Sequence, residues 1–120
     1  MAIVKPIFRI FDEQKAIEFY IDWLGFTMDW EHRFGDNFPI YMQVSLGDIV
    51  LHLSEHHGDC TPGARIHIEN FPELKSFHQR LIEKDYKYNK PGISKAFWDK
   101  DVYTMEVIDP SGNRLTFNGK

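Results

Sequence analysis

Cysteine is nearly missing: Cys60 is the only one, so no disulfide can form within the chain. Long hydrophobic runs are missing too, and none approaches the roughly 20 residues that a membrane-spanning helix needs. The opening stretch MAIVKPIFRIFDEQK has neither the apolar core nor the cleavage site of a secretory leader, so a cytoplasmic location is expected. Basic charge is short: 14 Lys and Arg stand against 18 Asp and Glu, for a net charge of −4. A nucleic-acid footprint requires a clustered basic excess. There is no phosphate-cradling glycine loop and no nucleophile elbow. These absences argue against a nucleic acid or a membrane as partner.

Aromatic residues, by contrast, are plentiful. Ten Phe, five Tyr and three Trp occur in 120 residues, enough to line a pocket or an interface as well as a core. That length suits one domain, residues 1–120.

Hydrophobic spacing divides the chain into two similar halves. Asp12 is a good N-cap, and Ala16, Phe19, Tyr20, Trp23 and Leu24 follow at the spacing of one buried helical face, ended by Gly25. A second helix is expected from near Asn70, with Pro72 in its first turn and Leu74, Phe77, His78, Leu81 and Ile82 on one face. Strand signals flank both helices: AIVKPIFRIF, FTMDWEHR, IYMQVSL and DIVLHLSE, then GARIHIEN, YKYNKPG, VYTMEVID and NRLTFNG. LGD and DPSG mark turns between them. The order is βαβββ twice, over residues 1–57 and 63–120, an α+β architecture. Short strings repeat as well: MQV at 42–44 answers MEV at 105–107, and VLHL at 50–53 sits where RLTF sits at 114–117.

Paired βαβββ modules, AIEFYIDWLGF after the first strand and VIDPSGNRLTF near the end resemble the vicinal oxygen chelate superfamily of glyoxalases, extradiol dioxygenases and bleomycin resistance proteins. The stretch DWEHRFGDNFPIYMQVSLGDIVLHLSEHHGD is most similar to the bleomycin resistance group. The resemblance implies two modules whose sheets close around a cup, with helices on the outer face. It also implies a homodimer in which a partner chain completes the ligand grooves.

LHLSEHHGDC, residues 51–60, raises the question of a metal. Metal-dependent members of the superfamily take ligands from four strands, and the matching positions here are Lys5, His52, Gly63 and Thr116. Only His52 is a plausible ligand, whereas transition metals need about three or four protein donors. His56, His57, Asp59 and Cys60 fall in the following loop at no zinc spacing, and are read as a polar loop. Cys60 beside His57 could form a thiolate pair, but a bystander thiol is the expectation. No metal, cofactor or catalytic residue is therefore expected.

Strand alternation places Lys5, Ile7 and Arg9 on one face, with Val50, His52 and Ser54, then Arg65, His67 and Glu69, then Arg114 and Thr116. The opposite face carries Val4, Phe8, Ile10, Leu51, Leu53, Ile66, Ile68, Leu115 and Phe117, suited to packing on the helices. By the resemblance, Trp98 matches a Trp at the drug groove of bleomycin resistance proteins. The expected ligand-binding set is His52, Trp98, Tyr103, Arg9, Arg65, His67, Trp30 and Phe38. The function implied is non-catalytic sequestration of a bleomycin-type glycopeptide. Two alternatives stand beside it: a metal-dependent glyoxalase-like lyase, transferase or dioxygenase, and a binder of another small molecule. The basic row Lys5, Arg9, Arg65 and Arg114 fits an anion better than a cationic drug, and its role stays open.

Overall fold

Asp12 starts the first helix: its carboxylate accepts the Lys15 N–H at 3.0 Å. Helix α1, Glu13–Ile17, runs straight into a π-helical stretch, Glu18–Trp23. The wider turn is visible in the Leu24 N–H, which donates to Phe19 O five residues back. Phe19 meets Tyr20 edge-on at 4.8 Å and Trp23 at 5.4 Å, and all five apolar positions of the expected face are buried. Gly25 ends the element at φ +90°, a conformation that side-chain-bearing residues avoid.

The computed structural model describes all 120 residues. They form two compact units: Met1–Ala64 with Asp109–Asn113, and Arg65–Ile108 with Arg114–Lys120. No helix is long and apolar enough to cross a membrane.

The first unit holds β1 (Ile7–Arg9), β2 (Thr27–His32), β3 (Tyr41–Leu46) and β4 (Ile49–Ser54), in the spatial order β1-β4-β3-β2. The second holds β5 (Arg65–Ile68), β6 (Ser94–Ala96), β7 (Asp99–Ile108) and β8 (Arg114–Gly119), in the matching order β5-β8-β7-β6. In each sheet the first strand is parallel to the last, and the rest are antiparallel. The repeated strings occupy equivalent places. Met42 and Val44 pair with Leu53 and Leu51; Met105 and Val107 pair with Phe117 and Leu115. These eight side chains are all buried.

Helix α2 spans Leu74–Glu83, later than the sequence spacing implies. Asn70 and Glu73 have φ of 59° and 53°, a left-handed backbone that no α-helix continues through. Tertiary hydrogen bonds hold this entry instead: the Phe71 N–H donates to Asn118 O, and the Leu74 N–H to Lys120 O. Leu74, Phe77 and Leu81 are buried, and Phe77, Phe71 and Phe117 form a ring cluster with centroids 4.8–5.5 Å apart. YKYNKPG is not a strand. Asp85 is left-handed, Tyr86–Asn89 turns, and Pro91 O accepts from His78 Nε2 at 2.8 Å, so pairing resumes only at Ser94. Val4 is exposed rather than packed, because it precedes β1, while Ile66 and Ile68 are half-buried.

The DPSGN loop is the most heavily hydrogen-bonded polar element of the first unit. Asp109 Oδ1 accepts the N–H groups of Ser111 and Asn113, at 2.9 and 2.8 Å. Its Oδ2 accepts Tyr20 Oη–H at 2.7 Å and Asn113 Nδ2–H at 2.8 Å. The Asn113 amide also donates to Arg9 O and accepts from the Ala64 N–H. Burial and then the Asp109 charge raise the Tyr20 phenol well above its ordinary pKa.

Candidate ligand-binding site

In the first unit the face opposite the buried one carries a closed polar chain. Alternation on β3 puts Tyr41, Gln43 and Ser45 there, and β4 adds His52. Tyr41 Oη lies 2.6 Å from His52 Nδ1, and His52 Nε2 lies 3.0 Å from Gln43 Oε1. Gln43 Oε1 also accepts from Lys5 Nζ, and its Nε2 donates to Asp29, which accepts from Ser45 as well. Gln43 Oε1 can only accept, which calls for a proton on Nε2; in the neutral imidazole Nδ1 then accepts from Tyr41 Oη–H. Burial, and then the charge of Lys5, lower the His52 pKa in the same direction. A β-bulge between Met28 and Trp30 breaks the alternation of β2. It lets Asp29 reach Gln43 and Ser45 while Trp30 stacks on Tyr41 (6.0 Å, 11°) and meets His52 edge-on at 5.3 Å.

The histidine loop is built to hold itself. Ser54 Oγ donates to Asp59 at 2.6 Å and accepts the His56 N–H. His56 Nδ1 accepts the Gly58 N–H at 3.0 Å, and its ring stacks on His57 at 4.9 Å. Burial and Asp59 push the Cys60 thiol pKa up, away from a nucleophilic thiolate. Phe34, Phe38, Tyr41 and His56 border a cavity of about 250 Å³. Arg9 lies 4.7 Å over the Phe11 ring.

The equivalent face of the second unit forms a larger cavity, about 540 Å³. Its floor is Arg65, His67, Thr104, Glu106 and Thr116; its wall is Gly92–Ser94; its rim is Phe97 and Trp98. Phe97 and Trp98 are the two turn residues of the β6–β7 hairpin, between paired Ala96 and Asp99. Such turns favour Asn and Gly with positive φ, and neither aromatic has it. Phe97 is 96% exposed and Trp98 48%, their rings edge to face at 4.9 Å. Folding gives no reason for two large rings there.

A model of glyoxalase superfamily proteins matches residues 1–120. The chain belongs to the glyoxalase superfamily. No curated protein matches it in sequence. Among solved structures it is similar to TnmS3, an antibiotic-binding protein from Streptomyces sp. CB03234. Identity is 20% over 99% of this chain and 96% of that one, with TM-score 0.73. It is also similar to a bleomycin resistance determinant encoded on the transposon Tn5 (18% identity, 100% and 98% covered, TM-score 0.72). A bleomycin-binding protein complexed with bleomycin aligns at 17% identity, 100% and 99% covered, TM-score 0.68. At these identities the likeness is one of fold.

The metal positions of this glyoxalase-superfamily chain do not suit a metal. Register makes Arg65, not Gly63, the counterpart of Lys5, since Ile7 pairs with His52 and His67 with Thr116. Gly63 lies before β5 at φ +85°. An ammonium, a guanidinium and a hydroxyl accompany His52, whose two ring nitrogens already have partners. Of the expected ligand set, Trp98, Arg65 and His67 share the larger cavity, His52 and Trp30 share the polar chain, and Phe38 borders the smaller cavity. Tyr103 does not join them: it shares the face of buried Met105, with Lys95 4.3 Å and Lys75 5.5 Å from its ring centre. Sequence reasoning missed Asp29, Tyr41 and Gln43 as one chain, and Thr104 as part of the cavity floor.

Proposed function

We propose that this glyoxalase-superfamily protein binds a flat aromatic small molecule without transforming it, and that it sequesters bleomycin-type glycopeptides in this way. The observation that carries the reading is the exposed Phe97–Trp98 pair at the rim of a cavity sized for a drug-like ligand. Similarity to the solved structures of an antibiotic-binding protein and a bleomycin-binding protein supports it. Exposed Asp99 and Asp101 beside the rim suit a cationic tail reaching outward. The reading includes a cytoplasmic homodimer, with residues 1–57 and 63–120 as the two modules of one domain.

The test is a tryptophan-fluorescence titration with metal-free bleomycin, on the wild type and Trp98→Ala. Saturable quenching is expected, with the variant weakened by about tenfold, or 1.4 kcal/mol. An intact fold that shows no response to the drug removes bleomycin from the reading.

A further inference from the structure

Parallel pairing in the second sheet sets Arg65 directly beside Arg114. Like charges placed so repel each other. A single carboxylate stands between them: Glu106 Oε1 is 3.5 Å from Arg65 Nη2 and 3.8 Å from Arg114 Nη1. Both separations are beyond hydrogen-bond length, and the buried Glu106 Oε1 has no hydrogen-bond partner. The guanidinium N–H groups therefore keep their donors for something else. Both side chains are about half exposed.

A second, independent observation lies at the cavity floor. Thr116 pairs in register with His67 on one side and Glu106 on the other. It is 6% exposed and lines the cavity, yet its Oγ1 has no partner. A buried hydroxyl without a partner costs free energy, and can donate to an incoming acceptor. Glu69, the other acid on β5, is engaged by Asn118 and does not line the cavity.

We propose that the inner end of this cavity receives an oxyanion, a carboxylate or phosphate, carried by the ligand whose ring lies on Phe97 and Trp98. Arg65 and Thr116 line the cavity and supply a charged N–H donor fork and a neutral hydroxyl; Arg114 is not part of the lining but stands beside Arg65 on the paired strand and adds its charge there. The inference rests on this cavity being the binding site for a flat aromatic molecule, and it narrows that molecule to an aromatic acid, which a bleomycin-type glycopeptide is not.

The test uses three probes with one ring system: naphthalene-2-carboxylate, naphthalene-2-carboxamide and 2-naphthylmethylamine. Each is titrated into the wild type, Arg65→Gln and Arg114→Gln, following tryptophan fluorescence, with bleomycin in parallel. The carboxylate is expected to bind about tenfold tighter than the carboxamide, with the amine weakest. Either Arg→Gln change abolishes that preference while the urea midpoint stays in place. Equal affinities, an amine that binds best, or a preference that survives both substitutions overturns the proposal. If bleomycin binds and no acid preference appears, only the oxyanion reading falls. If neither bleomycin nor any naphthyl probe binds, the cavity reading falls and takes this one with it.

Discussion

Asp109→Ala tests whether the DPSGN motif is a structural device. The carboxylate accepts four hydrogen bonds, from Ser111 N, Asn113 N, Asn113 Nδ2 and Tyr20 Oη. Asp109 is 4% exposed, and Asn113 and Tyr20 are fully buried, so water does not replace the lost acceptor. Hydrogen bonds to a charged group are worth about 1.5–3 kcal/mol each but do not add when they share one carboxylate. The expected loss is about 3–5 kcal/mol, out of a total of roughly 5–15 for a domain. Tyr20→Phe removes one donor and leaves the carboxylate three, so about 1–2 kcal/mol is expected. Urea unfolding followed by circular dichroism reads both, at about 1–3 kcal/mol per molar denaturant. If the alanine variant does not fold, Tyr20→Phe still carries the test. An Asp109→Ala protein within about 1 kcal/mol of the wild type would refute the reasoning, as would a Tyr20→Phe cost larger than the Asp109→Ala cost.

His52 should titrate by NMR with a midpoint below the ordinary histidine value, because burial and Lys5 oppose its charge. The unfolded chain takes up the proton first, so stability falls as pH drops below about 6.5, and His52→Gln should flatten that part of the curve. A midpoint above the ordinary value would contradict the neutral tautomer assigned to the polar chain. Gly119→Ala should cost about 2–3 kcal/mol, since its new Cβ would lie 1.9 Å from Phe71 O, a backbone atom that cannot swing aside. Gly92→Ala meets nothing within 4 Å and should stay within about 0.5 kcal/mol, measured by the same urea titration.

Alternation and capping made most of the fold legible. Asp12, the repeated MQV and MEV strings, and the inward rows of β4 and β8 stand where local chemistry puts them. What stayed hidden depends on distant partners. Nothing near Asn70 announces that Asn118 O and Lys120 O take the N–H groups of Phe71 and Leu74 and delay the helix. The Asp29 bulge breaks the period-2 rule that strand reading depends on, so the join of Asp29 to Gln43 could not be counted out. Tyr103 stands apart from the other residues of the expected ligand set. It lies two residues before Met105, and parity alone would have turned it to the buried face.

The two open faces match in register and differ in chemistry, and that difference favours the second as the proposed binding face. On the first, Lys5, Tyr41, His52, Gln43, Ser45 and Asp29 satisfy one another, so a ligand there must break bonds already made. On the second, Glu106, Thr116 and Asn118 each keep a buried oxygen without a partner. Each such atom costs about 1–3 kcal/mol, and a ligand that supplies the missing partner recovers part of it. The arginines paired across β5 and β8 sharpen the contrast, because the single Glu106 carboxylate offsets only one of their two charges. His52 and Thr116 occupy equivalent strand positions, yet the first is closed by Tyr41 and Gln43 and the second faces an open cavity. Membership of the superfamily accounts for the two sheets, whereas in the proposed reading the choice of ligand lies with the side chains of the second face.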